Sequence, residues 1–222
     1  VTFRVLDLFC GGGGSSVGYA QVGFEVRGVD LTGQLEYPYQ FDQADALYYL
    51  SKNHDAFDAF VASPPCRDHS ILANCGIGQD GTGSLLVETR EALQALGKPY
   101  VIENVEGAEM PNHVTLCGSM FELGTVTHQL KRHRQFESSF PIPQPMDHCL
   151  EDQRPVIGLY GGRPRDRRKS STTKGTSGTT LPFIDAQQAM GIDWLPIKPL
   201  CQAIPPAYTE YIGRYLLKEL MK

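Results

Sequence analysis

Four stretches of the chain carry side chains able to do chemistry together: Ser63-Pro64-Pro65-Cys66, Glu103-Asn104-Val105, Arg132-His133-Arg134, and Cys10-Gly11-Gly12-Gly13-Gly14 with Asp30 beyond it. Cys66 follows the apolar run Phe57 to Ala62, a strand pattern that two prolines stop abruptly. The prolines fix φ and hold the thiol on a stiff corner. A thiol presented in this way is either a packed loop residue or a nucleophile. Glu103 and Asn104 end a second apolar run, Tyr100 to Val105, where open α/β sheets bind ligands. A cap or ion-pair role is the alternative for Glu103. Arg132 and Arg134 fall on one face of an extended segment by the period-2 rule.

The glycine run points to a nucleoside. It does not meet the G-x-G-x-x-G spacing, because the sixth position from Gly11 or Gly12 is Ser16 or Val17. A dinucleotide is therefore disfavoured. The loop still offers backbone N–H groups, and Asp30 stands where a carboxylate accepts ribose hydroxyls, so an adenosine cofactor without a pyrophosphate fits better. A plain tight turn is the alternative. Asp45 reads as a partner of an adenine amino group at the end of a short strand, or as a helix cap.

These residues need a doubly wound α/β sheet to position them. Phe3 to Phe9 reads as the first strand. Ser15 or Ser16 is expected to cap a helix that Gly23 ends, and Phe24 to Val29 is the next strand. Pro38 interrupts a weak stretch from Leu31 to Gln43. Leu85, Leu86, Leu93 and Leu96 give a helical apolar face. Lys131 to Phe136 reads as an edge strand. Phe183 to Gly191 is a helix held down by Trp194 and Leu195. Pro205-Pro206 opens a last helix with Tyr208, Tyr211, Ile212, Tyr215 and Leu216 on its buried face. Arg163 to Thr180, dense in Arg, Lys, Ser, Thr and Gly, reads as disordered without a partner.

With 222 residues, 41% hydrophobic and 20% charged, the chain suits one core with a small subdomain. No apolar run reaches the roughly 18 residues that span a bilayer. The opening Val1-Thr2-Phe3-Arg4 enters a strand pattern directly, so we expect a cytoplasmic protein and no membrane. The six cysteines lack paired spacing and are expected to be free thiols. Cys66, His69 and Cys75 lie close, but no fourth ligand joins them and no metal is expected. The net charge of −5 hides a basic strip: residues 131–174 hold ten Lys/Arg against five Asp/Glu. That layout suits a protein meeting a polyanion on one face.

The ordered set Asp7-Leu8-Phe9-Cys10-Gly11-Gly12-Gly13-Gly14, Pro64-Pro65-Cys66, Glu103-Asn104-Val105, Arg132-His133-Arg134 and Ala203-Ile204-Pro205-Pro206 resembles the DNA cytosine carbon-5 methyltransferases. The chain's brevity is similar to the compact versions carried by bacteriophages. The resemblance implies a Rossmann-like class I methyltransferase sheet with a very small target-recognition insert. Residues 1–140 and 182–222 would form the catalytic domain, and 141–181 a reduced recognition segment with a basic flexible arm. It also implies that Asp7, Phe9, Cys10, the glycines Gly11, Gly12, Gly13 and Gly14, Asp30, Asp45, Pro64, Gln202 and Ala203 bind S-adenosylmethionine, with S-adenosylhomocysteine as product. Cys66 would be the nucleophile, Glu103 the acid that engages the base, and Arg134 a ligand of the base carbonyl, supported by Arg132 and Asn104. Arg163, Arg165, Arg167, Arg168, Lys169 and Lys174 would contact double-stranded DNA, with the protein acting as a monomer. A DNA-binding relative that is catalytically lapsed or uses an altered donor, and an RNA cytosine methyltransferase, are the competing readings.

Three features depart from the family pattern. Cys201 and Gln202 stand where Gly-Asn is usual, and Asp30 stands where Glu is usual. The third departure is the shortness of 141–181, which predicts a short or degenerate target site.

Overall fold

The computed structural model describes residues 2–65, 85–146, 149–150, 152–160, 163–166 and 180–222. Among them, seven strands form one sheet in the order β3-β2-β1-β4-β5-β7-β6: β1 Arg4–Leu8, β2 Glu25–Asp30, β3 Gln40–Gln43, β4 Ala59–Ala62, β5 Tyr100–Asn104, β6 Val114–Leu116 and β7 Arg134–Ser138. β1 to β5 run parallel, while β7 is antiparallel to both β5 and β6. The order reverses between β1 and β4, so the crevice for a ligand lies beyond the carboxyl ends of those two strands.

Alternation along β1 builds the layers. Val5 faces one core with Val26, Val61, Val101 and the helices α1 Gly14–Val22 and α6 Pro206–Leu220, which contribute Tyr19, Tyr208, Ile212 and Leu216. Leu6 and Leu8 face the other core, with Leu50 of α2 Ala46–Asn53 and Leu86 and Leu93 of α3 Leu85–Leu96. A third cluster joins the hairpin β8 Ile157–Tyr160 and β9 Arg163–Asp166 to α4 Phe183–Met190 and α5 Ile197–Gln202, through Ile157, Leu159, Ala186, Met190 and Leu200. The hairpin thus shares a core with residues beyond position 182. No helix among the described residues is long and apolar enough to cross a membrane.

Several expectations are corrected. Neither Ser15 nor Ser16 caps α1; the cap is Gly13 in the left-handed region at φ 82°, a conformation that glycine reaches without strain, and both serines lie within the helix. The third strand ends at Gln43, and Asp45 caps α2, its Oδ1 accepting from Tyr48 N at 2.8 Å. β7 is not an edge strand, because β6 covers it; Arg132 precedes it and Arg134 is its first residue. Residues 163–166 are not a disordered arm: they form β9, paired Ile157 to Asp166 through Tyr160 to Arg163. Of the face expected to be buried on α6, Tyr208, Ile212 and Leu216 are fully buried, with Tyr211 and Tyr215 half-buried.

Candidate active site

The site gathers at the carboxyl ends of β1, β4 and β5. β1 runs out through Phe9, whose φ of 57° is a left-handed conformation for a bulky residue, strain of the kind that collects at functional turns. The glycines follow at once. Beside Gly11 nothing stands within 4 Å of where a Cβ would sit, leaving room for a ligand against the backbone. Gly14, by contrast, is closed, with the Ile204 carbonyl 2.5 Å and the Ala203 Cβ 3.2 Å from that position. Gln202 and Ala203, at the end of α5, are thereby brought to the glycine loop. Asp30 Oδ2 accepts from Gly11 N at 3.1 Å and Oδ1 from Thr32 N at 2.9 Å, so the carboxylate is locked beside the loop. Ala44 N donates to Asp30 O at 3.0 Å, which sets exposed Asp45 nearby. An open loop flanked by a fixed carboxylate fits the adenosine end of S-adenosylmethionine.

Asp7 lies beneath the loop rather than in it. It is fully buried, and Ser16 Oγ donates to its Oδ2 at 2.5 Å and shares a 2.8 Å hydrogen bond with Tyr37 Oη. Burial outweighs the serine hydrogen bond and raises the Asp7 carboxyl to about 7, with Asp30 and Glu103 adding repulsion. Burial likewise pushes the Cys10 thiol up, so that residue is packed and inert.

Beyond β4, Ser63 N donates to Leu8 O at 3.1 Å, and buried Pro64 offers its carbonyl to Asn104 Nδ2 at 3.3 Å. The corner that leads into Cys66 is thus tied to both neighbouring strands. Cys66 itself lies outside the described residues, as do Arg167, Arg168, Lys169 and Lys174. Glu103 lies near the end of β5, is 9% exposed, and pairs with Arg134 Nε at 3.0 Å. Burial raises its carboxyl against the opposing pull of Arg134, Arg132 and a Ser63 hydrogen bond. Arg134 Nη1 donates to His133 O at 2.7 Å. Buried Arg132 reaches the Cys201 carbonyl at 2.9 Å through Nη2, and Tyr208 Oη donates to the Arg132 carbonyl at 2.5 Å. Arg163 and Arg165 lie on β9, in the hairpin layer with α4 and α5.

Sequence reasoning missed three residues here. Trp194 Nε1 donates to Gly12 O at 3.0 Å, and Thr209 Oγ1 to Ser15 O at 2.8 Å, so α6 and the turn after α4 brace the glycine loop. Tyr37 packs against Gly13 and Gly28 under the same loop. The brace spans up to 194 residues of chain, beyond the reach of local spacing. A further group lies behind the arginines: Cys117, His133 and Cys149 place their ligand atoms within 4.8 Å of one another. Burial raises the Cys117 thiol, but hydrogen bonds with His133, Ser119 and Cys149 outweigh it and bring it down to about 6.

Known proteins share this sequence pattern and this fold. The family model described as C-5 cytosine-specific DNA methylase matches residues 3–124. The Type II methyltransferase M.HgiDI of Herpetosiphon aurantiacus is 31% identical over 135 residues, 54% of this chain and 43% of that protein. M.AplI of Arthrospira platensis, also a Type II methyltransferase, is 22% identical over 221 residues, 96% of this chain and 59% of that protein. The chain spans about half the length of these curated relatives. Among solved structures, Dnmt2 methyltransferase of S. pombe superposes with a TM-score of 0.61 at 15% identity, and the methyltransferase EhMeth of Entamoeba histolytica with 0.58 at 13%. Each alignment covers 99% of both chains. The shared fold is the doubly wound sheet.

Proposed function

Because the chain belongs to the family of C-5 cytosine-specific DNA methylases, we propose that it methylates carbon 5 of cytosine in DNA through a covalent adduct with Cys66. One observation supports this reading above the others: Glu103 is buried 3.0 Å from Arg134 near the end of β5, beside the Pro-Pro corner that Asn104 holds.

Carbon 5 of cytosine is a poor nucleophile, and the residues answer that difficulty in turn. The Cys66 thiolate adds to carbon 6, and the electron pair of the carbon 5–carbon 6 bond shifts into the ring. Glu103 gives a proton to ring nitrogen 3, a task that a burial-raised carboxyl suits. Arg134 holds the base carbonyl, and its charge with that of Arg132 favours the thiolate over a thiol of ordinary pKa ~8.5. The glycine loop and Asp30 would hold the adenosine end of S-adenosylmethionine, which when bound would supply the sulfonium methyl group that carbon 5 takes, leaving S-adenosylhomocysteine. A base then takes the carbon 5 proton, the Cys66 thiolate is expelled, and Glu103 recovers its proton. The target cytosine has to leave the stack, at a cost of a few kcal/mol that phosphate contacts offset. Residues 141–181 serve target recognition, and their small size fits a short or degenerate site.

Mass spectrometry of nucleosides from DNA incubated with the protein and S-adenosylmethionine tests this. We expect 5-methyldeoxycytidine, absent with Cys66→Ser. Unmodified DNA beside methylated RNA, or a transferred group other than methyl, would contradict it.

A further inference from the structure

We propose that Cys117, His133 and Cys149 form a zinc site that pins the segment carrying Arg132 and Arg134. The expectation of no metal weighed only Cys66, His69 and Cys75; this group is assembled by the fold from three separate segments. Cys117 is fully buried at the turn after β6, His133 immediately precedes β7, and half-buried Cys149 lies beyond it. Their ligand atoms lie within 4.8 Å of one another. Zinc takes thiolate at about 2.3 Å and imidazole at about 2.0 Å, so tetrahedral ligand atoms stand about 3.5–3.8 Å apart. The group therefore needs adjustments of about 1 Å or less. His133 Nε2 and Cys149 Sγ, 3.0 Å apart, share the hydrogen that a metal would displace.

The surroundings match a metal better than a thiol pair. The other ring nitrogen, His133 Nδ1, faces Glu106 Oε2 at 3.6 Å. That is just beyond hydrogen-bond distance; drawn in by a few tenths of an ångström, the carboxylate would accept from Nδ1 and fix the tautomer that leaves Nε2 free to ligate. Ser119 Oγ donates to Cys117 Sγ at 3.4 Å, a hydrogen bond suited to a thiolate ligand. Two thiolates balance the charge of a zinc ion, both thiols losing their protons to solvent on binding. A soft two-sulfur, one-nitrogen set selects zinc over magnesium or calcium, with water as the fourth ligand. The consequence lies in the backbone: the His133 carbonyl accepts from Arg134, and Arg132 is its other neighbour, so a metal on the imidazole fixes both arginines from behind. A Cys117–Cys149 disulfide would leave His133 and Glu106 without a role.

The test is metal content and a cobalt spectrum on the whole chain, reduced and purified from zinc-supplemented minimal medium. We expect one zinc per chain by elemental mass spectrometry, and thiolate-to-cobalt charge-transfer absorption with tetrahedral visible bands after cobalt(II) exchange. Cys149→Ser and His133→Ala should each lose at least about tenfold in occupancy, while Cys66→Ser keeps the metal. Should those variants not fold, Glu106→Gln, at an exposed position, should weaken zinc about tenfold in chelator competition. Reduced wild-type protein that takes up neither zinc nor cobalt overturns the proposal. So does metal that survives removal of Cys149 and His133, metal that disappears with Cys66, or a Cys117–Cys149 disulfide without uptake after reduction.

Discussion

Two buried carboxyls near the ends of β1 and β5, the strands on either side of β4, are both pushed up by burial: Asp7 and Glu103 have surroundings that give them different work. Glu103 has two arginines against it and opens toward the corner before Cys66. If it is the acid, Glu103→Gln should lower the single-turnover methylation rate by about 10²- to 10⁴-fold at saturating DNA. A structural ion pair would instead lose stability and leave that rate largely intact. The sign of the pH effect follows from the raised pKa. The proton is held to higher pH, so the rate limb that needs it falls as pH rises through that value and is absent in the variant. Asp7 takes its hydrogen bond from Ser16, and its carboxyl stands at about 7 against 3.8 when unfolded. The native chain then binds more protons than the unfolded chain between those values, so this group's contribution to stability declines as pH rises from about 4 to about 7. Asp7→Asn keeps an oxygen for Ser16 and should remove that decline. In urea titrations it should be more stable than wild type at pH 8 by on the order of a few kcal/mol, and no more stable at pH 4.

The elements are legible in the sequence where one local signal dominates. Arg4 to Asp30 shows strand, glycine turn, helix, strand and acid because each part has its own marker, and the structure reproduces that order. The signal fails where the third dimension decides. Asp45 reads equally as a strand end or a helix cap, and only the fold decides for the cap of α2. β6, three residues long, gives no pattern of its own, yet it turns β7 from an edge into an interior strand. The arginines of β9 look solvated in sequence, but its alternate residues Pro164 and Asp166 are buried against the α4–α5 layer. That neither serine caps α1 has a related cause: Ser16 is drawn inward to Asp7. The packing of α1 on α6 carries a prediction at this scale. A Cβ at Gly18 would collide with Thr209 Oγ1 and the Pro206 carbonyl, and the backbone member of that pair cannot yield cheaply. Gly18→Ala should therefore cost about 1–3 kcal/mol or more by urea denaturation, and weaken cofactor binding by disturbing the Thr209–Ser15 brace.

Across the whole molecule, charge is segregated. A chain of net charge −5 concentrates basic residues in the strip from 131 to 174, including Arg132, Arg134 and β9. If the chain acts on DNA as proposed, an acidic remainder would repel the polyanion and the basic strip would orient the encounter. Replacing Arg165, Arg167 and Arg168 with Gln should weaken DNA binding and lower the salt slope by about one for each phosphate no longer neutralised, as read from titrations at several salt concentrations. The most direct test concerns the covalent step. Duplex DNA bearing 5-fluorodeoxycytidine, incubated with the protein and S-adenosylmethionine, offers carbon 5 no proton to release, so the adduct cannot resolve. A denaturant-stable protein–DNA species is expected, with the peptide containing Cys66 as the attachment point and none formed by Cys66→Ser. Methylation of ordinary DNA without any trapped species, or attachment through another cysteine, would contradict a Cys66 adduct.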